Sequence, residues 1–204
     1  SRLGPPRRLD ILDAFSGSGI VSRYLKSRAR LLVANDLEDY ARVISQCYLC
    51  NRESFPRRDY EAAARLILDR LGAGDLEEGI LSRLYAPRSD ESIGPGERVF
   101  YTRRNALYLD TARMMIGSLP QALQPYFLGP LLSEASVHAN TSGVFKGFYK
   151  NPETGLGQFG GRKGDALSRI KGDIRLQAPV LSAFSCESLV LQGDANLLAP
   201  GLPE

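Results

Sequence analysis

The sequence predicts an α/β protein built on a doubly wound, parallel sheet, and three observations carry that expectation. Residues 9–15 read Leu-Asp-Ile-Leu-Asp-Ala-Phe, an apolar run of strand length cut off at once by Ser16-Gly17-Ser18-Gly19. Helical spacing resumes over 20–26, and a second apolar run covers 31–34. Asn35-Asp36 then leads into another helical pattern over 37–50, with Glu38 and Asp39 in its first turn. The order β-α-β-α sets parallel strands side by side, and such sheets bind ligands beyond the carboxyl ends of their strands.

Further along, the pattern turns helical. Helices are expected over 59–71, 75–84 and 107–119, with a break rich in proline and glycine at 86–96, and another over 127–140. A last strand, 188–192, runs into Gly193-Asp194-Ala195. The expected organisation is therefore a first part of the α/β domain in 1–50, a mostly helical insertion with a ligand-facing loop in 51–179, and a return to the sheet in 180–204.

The 204 residues suffice for one domain carrying a sizeable insertion, and 43% hydrophobic with 24% charged residues is ordinary for a folded globular chain. No run approaches the about 18 apolar residues that cross a bilayer, so no membrane association and a cytoplasmic location are expected. Cys47 and Cys50 form a C-x-x-C inside a helical pattern, but no second pair or histidine pair completes a zinc site, so they read as packing residues and no metal is expected. The net charge of +3 permits a polyanionic partner without requiring one.

The sharpest feature is Asp13-Ala14-Phe15-Ser16-Gly17-Ser18-Gly19, which sets a carboxylate at a strand end just before a glycine turn. A pyrophosphate would be repelled there, and the third glycine of a dinucleotide motif is replaced by Ser22. S-adenosylmethionine carries an ammonium, a sulfonium and no phosphate, so it suits an anionic strand end and a close approach of backbone over Gly17 and Gly19. Asp36, 23 positions after Asp13, is placed at the next strand tip to accept two hydrogen bonds from a ribose diol. Asp194, at a third strand end, either meets the adenine amino group of the cofactor or closes a Gly-Asp turn.

Between 146 and 175, Lys146, Lys150, Arg162, Lys163, Arg169, Lys171 and Arg175 outnumber Glu153, Asp165 and Asp173, a local balance of +4, and Phe145, Phe148, Tyr149 and Phe159 are interleaved with them. Such a mixture suits phosphates and unstacked bases, and equally a solvated loop. Lys146, Lys150, Arg162 and Lys163 are the candidate phosphate contacts. His138 reads as a packing or polar-contact residue, and Tyr24, Tyr40 and Tyr48 as core or shoulder residues of helices.

At this point the chain resembles the Dam-like adenine-specific DNA methyltransferases, in particular their restriction-modification branch of the FokI type. One stretch that carries the likeness is 12–26 followed by Val33-Ala34-Asn35-Asp36, which is similar to that branch's cofactor motifs. The other is Leu131-Leu132-Ser133-Glu134-Ala135-Ser136-Val137-His138-Ala139-Asn140-Thr141-Ser142-Gly143-Val144-Phe145-Lys146-Gly147-Phe148, which is similar to a more particular helix-and-loop segment. The resemblance implies a Rossmann-like fold with a helical insertion near the nucleic acid, and methyl transfer from S-adenosyl-L-methionine to the N6 amino group of adenine. It implies double-stranded DNA as partner, with a cognate restriction endonuclease as a further one. Asp13, Ala14, Phe15, Ser16, Gly17 and Gly19 are expected to line the cofactor pocket, with Asp36 and Leu37 at the ribose and Asp194 and Ala195 beside the adenine ring.

The family's catalytic tetrapeptide, Asp-Pro-Pro-Tyr or a near variant, normally follows one strand after the position of Asp194, and no such run occurs before Glu204. The catalytic residues are thus expected beyond Glu204, and the chain is expected to be an inactive fragment of a longer enzyme. Two other readings stay open: a methyltransferase acting on RNA or protein, since the cofactor motif is silent about the acceptor, and a non-catalytic binding module.

Overall fold

The computed structural model describes residues 8–141, 147–161, 164, 166–198 and 201. The chain divides into two compact units: Ser1–Tyr60 with Gln121–Pro130 and Ala178–Glu204, and Glu61–Pro120 with Leu131–Gln177. Among the described residues no helix is long and apolar enough to cross a membrane.

The first unit is a mixed α/β structure. Strands β1 (Leu9–Asp13), β2 (Ala29–Asp36) and β3 (Glu187–Gln192) form a parallel sheet in the order β1-β2-β3. Helix α1 (Ile20–Leu25) links the first two strands, and α2 (Asp39–Tyr48) follows the second. The central strand reads as a nearly unbroken apolar run because it is buried: Leu32 and Ala34 are inaccessible and pack with Ala29, Leu49 and Cys186, with Ile11 and Val190 alongside. On the opposite face Leu12, Val33 and Leu189 lie side by side in register. There Val33 is 6% exposed, whereas Leu12 and Leu189 remain 44% and 46% exposed.

One charged side chain is fully enclosed in this unit. Lys26, just after α1, donates from Nζ to the carbonyl oxygens of Leu49 (2.8 Å) and Cys50 (2.9 Å), serving carbonyls that the end of α2 leaves without intrahelical partners. Burial lowers its pKa below the ordinary lysine value, opposed by nearby Cys186, Cys50 and Glu53. Cys47 is inaccessible, and burial pushes its thiol up to about 12, so it is a packing group rather than a thiolate. Tyr48 is buried beneath the Arg23 guanidinium, 4.2 Å from its ring. Tyr24 and Tyr40 depart from expectation: they are 65% and 48% exposed, because the helix faces that carry them point away from the sheet.

The second unit is helical. It takes most of α3 (Arg57–Ala73), then α4 (Ile80–Leu84), α5 (Arg103–Gly117), the later part of α6 (Gln124–His138) and α7 (Leu167–Lys171). A helix expected over 75–84 starts only at Ile80. The segment before it is held extended by tertiary bonds, with Glu77 N donating to Thr111 Oγ1 at 2.8 Å and Gly79 N to Asp110 Oδ2 at 2.9 Å. The Asp110 carboxylate also receives Leu81 N (2.9 Å) and Ser82 N (2.8 Å), so it caps α4 from a distant helix. Asp110→Ala strands the amides of Leu81 and Ser82, while Gly79 N keeps Ser82 Oγ at 3.0 Å, and is expected to cost about 2–3 kcal/mol, read as a lower denaturant midpoint at unchanged slope. Helix α5 begins four residues before the expected 107, because Thr102 Oγ1 accepts from Asn105 N and caps it.

Candidate functional site

Because β1, β2 and β3 are parallel, Asp13, Asp36 and Gln192 end them at the same edge of the sheet. The turns that leave this edge carry Ala14, Phe15, Ser16, Gly17 and Gly19 after β1, Leu37 after β2, and Asp194 and Ala195 after β3. All ten residues named from the sequence as cofactor contacts thus gather at one edge of the first unit.

The glycine turn is fastened at both ends. Ser16 N donates to Asn35 O at 2.8 Å, Gly19 N to Ser16 O at 2.7 Å, and Gly17 N to Asp36 Oδ2 at 2.8 Å. Gly17 and Gly19 adopt φ of 49° and 72°, the left-handed region that a Cβ disfavours. Space above Gly17 is open, while a Cβ on Gly19 would lie 3.3 Å from Ile44 Cγ2. Asp36 Oδ1 accepts from Glu38 N at 3.0 Å, at the start of α2. Asp13 Oδ2 accepts from Ser22 Oγ at 2.5 Å, and Ser22 is wholly buried on α1. The residue that departs from a dinucleotide motif is therefore the one that orients the strand-end carboxylate.

Exposure differs among the gathered residues. Phe15 (80%) and Leu37 (68%) are open to solvent, and Ser16 is buried. Asp194 is exposed and caps the short α8 (Ala195–Leu198), its Oδ1 accepting from Asn196 N at 2.9 Å. Asn35, which the sequence marks only as the end of the second apolar run, carries no expected role there. It is 2% exposed, and its Nδ2 donates to Ala14 O (3.1 Å) and Gly193 O (3.0 Å), joining the turns after β1 and β3. The one signal available was a polar residue closing an otherwise apolar strand.

In the second unit, Lys146, Arg162 and Lys163 lie outside the described residues. Lys150 is exposed, with Nζ 5.5 Å from the Phe148 ring centroid, and Lys171 sits 5.5 Å from that of Phe159. Arg169 serves the helix instead. Its guanidinium donates to Val137 O and, at 3.2 Å, to Ala139 O, capping the end of α6. His138 Nδ1 lies 2.5 Å from Arg169 O and Nε2 is 3.6 Å from Glu134, a polar contact at the same helix end.

The segment carrying Lys150 is built rather than loose. Bridges pair Thr141 with Phe148 and Lys150 with Gly157. Buried Asn140 ties it down, donating from Nδ2 to Val99 O (2.6 Å) and Gln158 O (2.8 Å) and accepting from Gly160 N (3.0 Å). A cleft of about 580 Å³ beside it is lined by Asn151, Pro152, Gln158, Phe159, Gly161 and Leu167, among others.

The chain is 30% identical over 146 residues to the type II methyltransferase M.NlaIII of Neisseria lactamica, a match covering 68% of this chain and 40% of that protein. Over that stretch the chain is similar to a type II methyltransferase. The modification methylase LlaI of Lactococcus lactis subsp. lactis is likewise 30% identical over 149 residues, covering 68% of this chain and 22% of that relative. The chain thus spans less than half the length of either methyltransferase relative. No family model matches it, and no solved structure matches it. Among the described residues no group of His, Cys, Asp and Glu side chains could hold a metal ion.

Proposed function

We propose that this chain carries the cofactor-binding part of a restriction-modification DNA methyltransferase that uses S-adenosyl-L-methionine and acts on the N6 amino group of adenine. The observation that carries the reading is the pair of strand-end carboxylates, Asp13 and Asp36, flanking a glycine turn that Asp36 itself fastens through Gly17 N at 2.8 Å.

The residues suit the cofactor. Each Asp36 oxygen takes one backbone N–H and keeps a second lone pair, enough for a ribose diol. Asp13 Oδ1 makes no hydrogen bond among the described residues, which leaves it to face the positive charge of the ligand. Space over Gly17 admits a close neighbour. When bound, the cofactor supplies an electrophilic methyl group; the chain's part is to bind and orient it and to shield it from water. The exposed apolar pair Leu12 and Leu189 supports a doubly wound, Rossmann-like sheet, since helices on that face would cover them.

The acceptor side rests on the second unit and on the similarity to modification methylases. An adenine amino group stacked in a duplex is out of reach of a pocket, so the target base has to leave the stack. Lys150, held by the Asn140 clamp near the Phe159 cleft, faces the nucleic acid in this reading, together with Lys146, Arg162 and Lys163. Lys150→Ala is expected to weaken binding to all duplex sequences alike and to reduce the slope of log affinity against log salt by about 1. A slope equal to wild type refutes the contact. A cognate restriction endonuclease as partner and a cytoplasmic location belong to the same proposal.

Transfer of labelled methyl by the product of the complete gene tests the reaction. Label recovered as N6-methyladenine from duplex DNA is the expected result. Label found in RNA or protein instead overturns the acceptor assignment.

A further inference from the structure

Three strand ends form the candidate site, and among the described residues one side chain, that of Asn35, bonds to both the first turn and the third. We infer that Asn35 is a positioning residue, setting the span between the glycine turn and the turn that carries Asp194; this rests on the cofactor-binding reading above. Its Nδ2 donates to Ala14 O (3.1 Å) and to Gly193 O (3.0 Å), which lie 21 and 158 positions from Asn35 in the chain. Its own carbonyl accepts from Ser16 N at 2.8 Å.

The amide orientation is forced. Both partners are carbonyl oxygens, which accept only, so the nitrogen must face them and a flipped amide would set oxygen against oxygen. As a result Asn35 Oδ1 is left inside the protein with no hydrogen-bond partner among the described residues. A buried acceptor without a donor is unfavourable. A leucine would fill a similar volume without that penalty, so a site needing only packing has no use for asparagine. Two donors aimed at two turns are what leucine cannot supply. A ligand reaching from Gly17 to Asp194 needs those turns at a fixed separation, and Asn35 is the side chain that sets it.

The test compares wild type with Asn35→Leu and Asn35→Asp by amide hydrogen exchange and by titration with S-adenosylmethionine and, separately, with duplex DNA. Exchange at Ser16, Gly17 and Gly193 is expected to quicken at least tenfold, while Leu32 in the middle of β2 stays within twofold. Affinity for S-adenosylmethionine should fall at least tenfold and affinity for DNA stay within twofold, a split that general destabilisation would not produce. Asn35→Asp keeps the size and presents acceptors to both carbonyls, so it gives the same readouts should Asn35→Leu fail to fold. Unchanged exchange at both turns overturns the inference, as do loosened turns with unchanged cofactor affinity. Turns that loosen in a protein whose wild type does not bind S-adenosylmethionine leave the linkage standing and overturn the proposed function instead.

Discussion

Asp36→Ala is expected to weaken S-adenosylmethionine binding by at least 100-fold in a calorimetric titration. The carboxylate does two jobs at once. Inward, Oδ2 holds Gly17 N at 2.8 Å and Oδ1 holds Glu38 N at 3.0 Å, so the turn after β1 and the start of α2 share one anchor. Outward, the same oxygens keep lone pairs, which in the proposed function accept from two ribose hydroxyls. A hydrogen bond to a charged group is worth about 1.5–3 kcal/mol, so losing two acceptor contacts corresponds to roughly two or more orders of magnitude in affinity. Asp36→Asn retains one acceptor oxygen and should fall between the two. Affinity of Asp36→Ala within threefold of wild type would show that the carboxylate serves the fold alone.

Gly19→Val is expected to cost about 2–4 kcal/mol of stability and to remove cofactor binding altogether. Gly19 sits at φ 72°, where a β-branched residue is strained by about 1–3 kcal/mol, and its Cβ would press on Ile44 Cγ2 at 3.3 Å. Ile44 lies in α2 and is itself buried, so it yields only by moving the helix that also carries Ser45, 3.5 Å from Ser16 Oγ. Relief at one point therefore disturbs the turn at another. Gly17→Val is the matched control: φ is 49° but space around the new Cβ is open, so the cost should be smaller. Chemical denaturation of both variants measures the difference, and equal costs would remove Ile44 from the explanation.

The first unit was legible where its signals are local. Apolar runs at 9–15 and 31–34, a glycine turn between strand and helix, and an acidic residue at the next strand tip need only neighbouring residues to be read; β1 occupies 9–13 of the first run and β2, at 29–36, contains the second. Parallel pairing then brings their ends together without further information. What stayed hidden depends on partners far away in the chain. Asp110 halts the helix expected at 75 by capping one that starts at Ile80, and Asn140 fastens a later segment through Gln158 and Gly160. Lys26 stands in the sequence only as the last residue of a helical pattern, because the carbonyls of Leu49 and Cys50 that it serves lie 23 and 24 positions away. Tyr24 and Tyr40 failed for the opposite reason, since helical spacing identifies a face but not what covers it. Asn35 combines both difficulties, its two partners lying 21 and 158 positions away.

The proposed binding of S-adenosylmethionine at the strand ends of the first unit is tested most directly by one titration. Adding S-adenosylhomocysteine, the uncharged-sulfur product, to isotope-labelled protein should shift the amide resonances of Ser16, Gly17, Gly19, Leu37 and Ala195 saturably and together, while NAD leaves them in place. Resonances that ignore S-adenosylhomocysteine, or that answer to NAD instead, would contradict the account.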